Sequence, residues 1–385
     1  MNRTIKYSLV VLFLGICVLF RWNCADDILV IGENEKVTSN RTNLTSINLA
    51  EYSEYFVLNH FDNSEIDNLV INLDKHKKAI ASHRFTPREK STYTTKYLQK
   101  QNTVVCLSSV YVGYLEALGL EQLIVGVDNL DFVSNEIVRN NGKVEEIGHA
   151  GQLNMEALLS LDPKYVFVDD FDLNEGLEKE LKQAGIMLVR CNPFREKTPI
   201  ARAEWIKFFG VIFDVYDKAK VVFEDTKFNY HLLKKEAENF ENKPTVFLNA
   251  PYGDQWTIPG GNSFQAKLMK DAGANYIFNR DTSTMTIHSG FEKMLVKAEN
   301  ADYWLHIGTA NSKEELLRTN ANFAEFKAFK TGLLYNNNKN TNADGGIPYW
   351  ESSGVHPDWV LADLIHIFHP EKDSMFKFHY YQKLN

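Results

Sequence analysis

From about residue 101 onward, short apolar runs alternate with longer stretches in which apolar residues recur every three or four positions. That is the pattern of parallel strands joined by crossover helices. TVVCLSS (Thr103 to Ser109) is the first run, and the helical spacing through Leu115 and Leu118 that follows should close at Gly119, a glycine C-cap. LIVGV, the helical NMEALLSL, YVFVDD, a helix ending at Gly185 and IMLVRC complete an α/β lobe over 101–198. From Pro199 to about Asn242 one helical stripe persists, through Trp205, Phe209, Ile212 and Tyr216 and on to Tyr230, Ala237 and Phe240. Asp214 and Asp217 mark a break into two helices. The part from Asp217 to Asn242 alone would extend roughly 39 Å at 1.5 Å per residue, enough to bridge two lobes.

A second α/β series occupies 243–385. It runs from the strand TVFLNA through helices starting near Ser263 and Phe291, the strands DYWLHI and LLYN, and a last helix from Pro357 to His369. Pro357 suits a first turn, and Pro370 cannot continue the helix. The stretch 25–100 is polar and carries only the short runs ILVI, YFVL and LVINL, an N-terminal extension with a few strands. The predicted fold class is α/β: two lobes with parallel-type sheets flanked by helices, joined by a long rigid helix, with a β-rich extension in front.

Composition sharpens this picture in two ways. A chain of 385 residues, 44% hydrophobic and 24% charged, is too long for one ordinary core and too apolar for disorder. Its net charge of -8, with Lys and Arg scattered along the chain, leaves no footprint for nucleic acid. Residues 1–24 read as a leader: Arg3 and Lys6 precede an uncharged run from Tyr7 to Phe20, short for a membrane span and suited to export. Cys24, followed by Ala25, Asp26 and Asp27, is placed as an acylated lipoprotein cysteine would be, although RWN before it departs from a small-residue signal. Plain cleavage or an uncleaved anchor are the alternatives. Cys106 and Cys191 sit in apolar runs as buried thiols or as a disulfide pair.

Five segments then occur in a telling order: LSSVYVGYLEALGLEQLIVGV, LNMEALLSLDPKYVFV, EKTPIARAEWIKFFG, WTIPGGNSFQAKLMKDAGANYIF and YWESSGVHPDWVLADLIHIFHPE. Over Thr103 to about Glu371 the chain resembles the periplasmic substrate-binding proteins of iron-siderophore and cobalamin-type ABC importers, in their lipoprotein form. The resemblance implies two α/β lobes on a helical backbone, a ligand held in the cleft between them and modest closure. It also implies a monomer that has no intrinsic cofactor, binds an iron-siderophore, heme or corrinoid-like chelate, and delivers it to the importer's membrane subunits from the periplasm or cell envelope. A protein of the same fold that captures or senses the ligand without an importer is the second reading. An enzyme is disfavoured, because no GxSxG, HExxH or CxxC motif is present.

Glu156 and Glu292 each open a helix, where acids are favoured, and Ser289 to Glu292 reads as a capping box. In the family, a glutamate at each of these positions meets arginines of the permease. The cleft belongs at the carboxyl ends of the strands. That edge offers Ser108, Ser109 and Tyr111, then Asp169 and Asp170, then Asn192 and Arg195, then Tyr252 and Trp256. The resemblance adds Tyr349 and Trp350 from NADGGIPYWESSG. His149, Tyr111 or His288 could ligate a metal, yet no built-in metal spacing exists, so a metal should arrive with the ligand. Thr198 to Trp205 should fix the bridge to the first lobe, and Gly260 and Gly261 form a tight turn into a helix rather than a phosphate loop.

Overall fold

A computed structural model describes residues 46–61, 68–74, 76–85, 102–149, 152–171, 173, 175–253, 255–371 and 375–385. All of them fall within one compact unit, Val37–Asn385. The leader and Cys24 lie outside the described residues.

The extension is an antiparallel meander of β1 (Ser46–Asn48), β2 (Phe56–Phe61), β3 (Asn68–Leu73) and β4 (Ala79–Phe85). The first lobe is built on β5 (Val104–Cys106), β6 (Ile124–Val127), β7 (Glu145–Glu146), β8 (Tyr165–Val168) and β9 (Met187–Arg190). They lie in the order β7-β6-β5-β8-β9, all parallel. Central β5 and β8 are buried at every position because helices cover both faces, hence their unbroken apolar runs. In the second lobe β10 (Thr245–Leu248) is followed by a small antiparallel sheet of β11 (Pro251–Tyr252), β12 (Gln255–Pro259) and β14 (Thr286–Gly290). Its main sheet has the order β13-β10-β15-β16-β17, with β13 (Asn275–Tyr276), β15 (Tyr303–Leu305), β16 (Leu334–Asn336) and the antiparallel C-terminal β17 (Gln382–Lys383).

The helices that position the site are α1 (Ser109–Ala117), α2 (Met155–Leu161), α3 (Pro199–Ala203), α4 (Trp205–Ile212) and α5 (Tyr216–Ala237) in the first half. α6 (Phe264–Asp271), α7 (Phe291–Ala298), α8 (Pro348–Ser352) and α9 (Pro357–Phe368) follow in the second. The chain leaves α1 through Gly119, whose positive φ of 63° and N–H to Glu116 O (2.8 Å) make it the expected cap.

The helical bridge, expected to break into two helices near Asp214 and Asp217, resolves into three. α4 ends where Asp214 takes a left-handed φ of 59°, and α5 then runs 22 residues, about 33 Å. Gly210 permits the close return, since a Cβ there would lie 2.5 Å from that of Ala219. α5 touches both lobes: Lys218 Nζ donates to Leu118 O (2.8 Å) at one end, and the Tyr230 hydroxyl donates to Asp271 (2.8 Å) farther along.

The sequence reading also placed Glu204 and Trp205 against the first lobe, and there the structure differs. Glu204 accepts backbone N–H groups of Glu51 (2.8 Å), Tyr52 (2.7 Å) and Ser53 (2.8 Å), and Trp205 packs on Phe56 with ring centroids 4.8 Å apart. Both residues hold the extension to the bridge. Glu196 assists, accepting from Ser53 Oγ (2.6 Å) and from the Trp205 indole (3.0 Å).

The lobes also meet directly. α8 of the second lobe lies on α1 of the first, at a distance only glycine permits: a Cβ on Gly113 would sit 2.0 Å from Glu351 O. The Glu351 carboxylate accepts from Ser134 N (2.6 Å), Asn342 Nδ2 donates to Val133 O (3.1 Å), and Arg139 pairs with Asp344. Cys106 and Cys191 are both free and buried, so the open choice between thiols and a disulfide falls to thiols.

Candidate functional site

The carboxyl ends of the two parallel sheets collect the chemistry, but a different set of side chains from the one read in the sequence. Tyr111, Trp256 and Tyr349 were placed in the cleft and are instead interior residues. The Tyr111 hydroxyl donates to Cys191 O (2.9 Å), the Trp256 indole donates to Leu248 O (3.0 Å), and Tyr349 is edge-on to Tyr381 (5.9 Å). A buried ring with its polar handle satisfied is core material, and no ligand can reach it without unpacking the lobe. Ser108 is half-buried and accepts from Val110 N (3.4 Å) at the start of α1. His149 and His288 are exposed, and among the described residues no three His, Cys, Asp or Glu side chains converge to hold a metal.

What these edges present is a set of uncovered aromatic rings. Phe132 after β6 is 61% exposed, Phe171 after β8 64%, Tyr252 after β10 93% and Trp350 on α8 45%. Exposure this high for four large rings, two per lobe, separates them from the core aromatics. The Arg195 guanidinium lies 4.7 Å from the Phe171 ring centre and 5.6 Å from that of Phe194, two rings whose own centres are 5.1 Å apart, a cation–π contact that keeps a positive charge beside an apolar face. Arg195 forms no ion pair among the described residues. Asp170, by contrast, is engaged by Arg190 (3.3 Å) and by the Asn192 amide (3.0 Å), so it braces the loop. The sequence reading missed Phe132 and Phe171; the signal was a large apolar residue inside an otherwise polar turn just after a strand.

Trp350 has a rigid backing. His306, just after β15, has a left-handed φ of 59°, and Asn249, just beyond neighbouring β10, has φ 67°. Side chains in this region are strained, and such residues persist where packing over-determines them. The His306 ring is buried against Tyr349 (5.4 Å) and Trp350 (6.4 Å), and its Nε2 is 2.6 Å from the Tyr381 hydroxyl. Burial pushes its pKa down to about 4, so the imidazole is neutral at physiological pH.

Glu156 and Glu292 are both exposed. Asn154, not Glu156, caps α2, accepting from Ala157 N (3.0 Å). The capping box at Ser289 does not form: Ser289 lies in β14 opposite Trp256, and Gly290 begins α7 with no side-chain cap. Neither glutamate forms an ion pair among the described residues.

The family profile described as periplasmic binding protein matches residues 104–341. An uncharacterized lipoprotein of Methanocaldococcus jannaschii, MJ0872, is 32% identical over 254 residues, covering 63% of this chain and 62% of that protein, short of two thirds of its length. A second from the same organism, MJ0878, is 24% identical over 294 residues, covering 73% of this chain and 68% of its own. Among solved structures, a periplasmic heme-binding protein from Pseudomonas aeruginosa superposes with a TM-score of 0.58 at 18% identity, covering 74% of this chain and 98% of that one. An ABC-type Fe3+-hydroxamate transport system protein from Saccharomonospora viridis gives 0.54 at 14% identity, covering 75% and 96%. At these identities the superpositions speak for the fold.

Proposed function

Because this chain belongs to the periplasmic binding protein family, we propose that it captures a metal chelate of the siderophore, heme or corrinoid kind between its lobes and delivers it to an ABC importer. The family is one of solute-binding proteins rather than enzymes. The observation that carries the ligand class is the set of exposed rings at the strand ends, Phe132 and Phe171 on one lobe and Tyr252 and Trp350 on the other. Rigid rings give a flat or bulky chelate a large contact area at small entropic cost. Arg195, stacked and unpaired, supplies a charge for an acidic group of the ligand, such as a carboxylate. The neutral His306 behind Trp350 supports a wall that does not change charge between pH 5 and 8. Glu156 and Glu292, one exposed acid per lobe, are proposed as the contacts to basic sockets of the permease, fixing orientation and raising the encounter rate more than the affinity. Two relatives named lipoproteins support placement outside the cytoplasm with acylation at Cys24. No helix among the described residues is long and apolar enough to cross a membrane.

The test is a titration of the purified chain with heme, ferric hydroxamates and cobalamin, followed by tryptophan fluorescence. Tyr252→Ala with Trp350→Ala should weaken the bound chelate by about tenfold or more, on the scale of two lost aromatic contacts, with stability unchanged. If none of the chelates binds more tightly than about 10 µM, the ligand class is wrong. Glu156→Arg with Glu292→Arg should abolish uptake in cells and leave chelate affinity as it was. Uptake that survives both reversals favours a capture or sensor role without an importer.

A further inference from the structure

The second lobe carries a cavity of about 520 Å3, set apart from the aromatic edge, at α6 and the sheet-edge strand β13. Four cationic side chains line it: Lys243 just before β10, Lys267 and Lys270 on α6, and Arg280 in the loop after β13. No carboxylate belongs to the lining, and none of the four forms an ion pair or side-chain hydrogen bond among the described residues. Asp271 and Asp281, beside Lys270 and Arg280 in the sequence, are committed elsewhere, and Glu54, which acts on Lys267, is paired with Lys197 (2.7 Å) and Lys77 (3.5 Å). Asp271 binds Lys234 (3.0 Å) and the Tyr230 hydroxyl (2.8 Å), while Asp281 accepts from Gly261 N (3.3 Å) and Ser283 N (2.9 Å).

The arrangement is built into the backbone. The Gly260-Gly261 turn lets the loop that bears Arg280 fold over the start of α6: a Cβ on Gly261 would lie 2.3 Å from Asp281 O and 2.4 Å from Phe278 O. The backbone N–H groups of this turn are not free for a ligand, because Asn262 N is bonded to Ser283 O and Ser263 N to Gly260 O. The donors facing the cavity are therefore side chains, which distinguishes it from a phosphate loop, where backbone N–H groups cradle the anion. Lys267 is the half-buried cation of the set, the other three being exposed: burial pushes its ammonium pKa down, and Lys197 and Lys234 outside the cavity add to that, against the opposing pull of Glu54 and Asp271. With no carboxylate in the lining, a multiply charged anion would bridge several of these side chains at once. Buried Ala266, Ala274 and Tyr276 give the cavity an apolar wall.

We propose that this cavity binds the phosphate group of a multiply charged anion, either a free phosphate compound or the headgroup of an anionic lipid beside which a tethered chain would lie. The proposal does not rest on the chelate reading, since it uses none of the aromatic-edge residues.

Calorimetry of the full chain with inorganic pyrophosphate, together with flotation on vesicles of anionic or neutral phospholipid, tests it. Saturable, salt-sensitive pyrophosphate binding that weakens about tenfold or more in Lys267→Gln with Arg280→Gln supports a free anion as ligand. Binding to anionic vesicles alone, lost in the same double variant, assigns the headgroup. A control with Lys179→Gln and Lys220→Gln removes equal charge from surface positions outside the cavity and should change neither readout. Unchanged melting of both double variants would show that the fold is intact. Absence of both kinds of binding, or binding indifferent to Lys267 and Arg280, overturns the proposal.

Discussion

Two joints hold this molecule together, and each is made by a buried glutamate, yet they are built to different degrees of completion. At the joint between extension and bridge, Glu204 accepts three backbone N–H groups and also pairs with the buried Lys207 (3.1 Å), so its charge is met from several sides. At the joint between the lobes, Glu351 accepts one strong bond from Ser134 N, and its Oε1 has no hydrogen-bond partner. Burial, reinforced by Glu116 and opposed only in part by Ser134 and the Asn135 backbone, pushes its pKa up to about 7. A fully satisfied buried acid behaves as a rivet, whereas a half-satisfied one gains by reaching water. The extension is thus held to the frame by a satisfied acid, and the lobe seam by one that burial leaves partly unsatisfied.

The comparison can be broken most forcefully at its stronger member. Glu204→Ala would leave the part-buried N–H groups of Glu51, Tyr52 and Ser53 without their acceptor and Lys207 with only Leu49 O and Glu51, so unfolding free energy should fall by about 2–4 kcal/mol, with the segment 46–85 becoming open to protease. Chemical denaturation and limited proteolysis measure both, and an undiminished stability would show that the extension is held by Phe56 and its aromatic neighbours instead. Gly113→Ala tests the seam by steric means. With Glu351 O in the way, α1 and α8 must separate, costing about 1–3 kcal/mol and shifting the solution scattering profile toward a more open form.

The smallest effect expected is electrostatic and depends on pH. Because the folded pKa of Glu351 lies above the ordinary 4.5, the native state holds its proton more tightly than the unfolded chain. The contribution is therefore fully present below about pH 4.5 and is lost as pH rises through about 7. Glu351→Gln should leave stability near its wild-type value at pH 4.5, raise it by on the order of 1–2 kcal/mol at pH 8, and flatten the slope between. Glu196, lifted by burial to about 7 as well, keeps a residual slope that the variant does not remove. A Glu351→Gln profile parallel to wild type would mean the seam carries no titrating acid.

Much of the frame was legible along the chain because strands and helices have different periods, and both were audible here. TVVCLSS became β5, YVFVDD β8 and TVFLNA β10, and the glycine cap at Gly119 and the break at Asp214 fell where local chemistry demanded them. The site was less legible. Tyr111 follows one turn after a strand end, as a cleft residue should, yet in the fold it points into the lobe and ties to Cys191, 80 residues away. Phe132 and Phe171 looked like ordinary loop residues and are the ones left uncovered. The Ser289 capping box failed for a related reason: pairing with β12 holds Ser289 in extended backbone.

By itself the sequence determined the elements, their order and the two-lobed α/β plan, because periodicity, caps and turn residues act over a few positions. Tertiary structure alone decided which rings face solvent, which carboxylates are riveted or left wanting, and which lysines line one cavity. Those properties depend on what arrives from distant parts of the chain, as Glu51 to Ser53 reach Glu204 across some 150 residues, and burial sets the energy of a polar group more than its identity does.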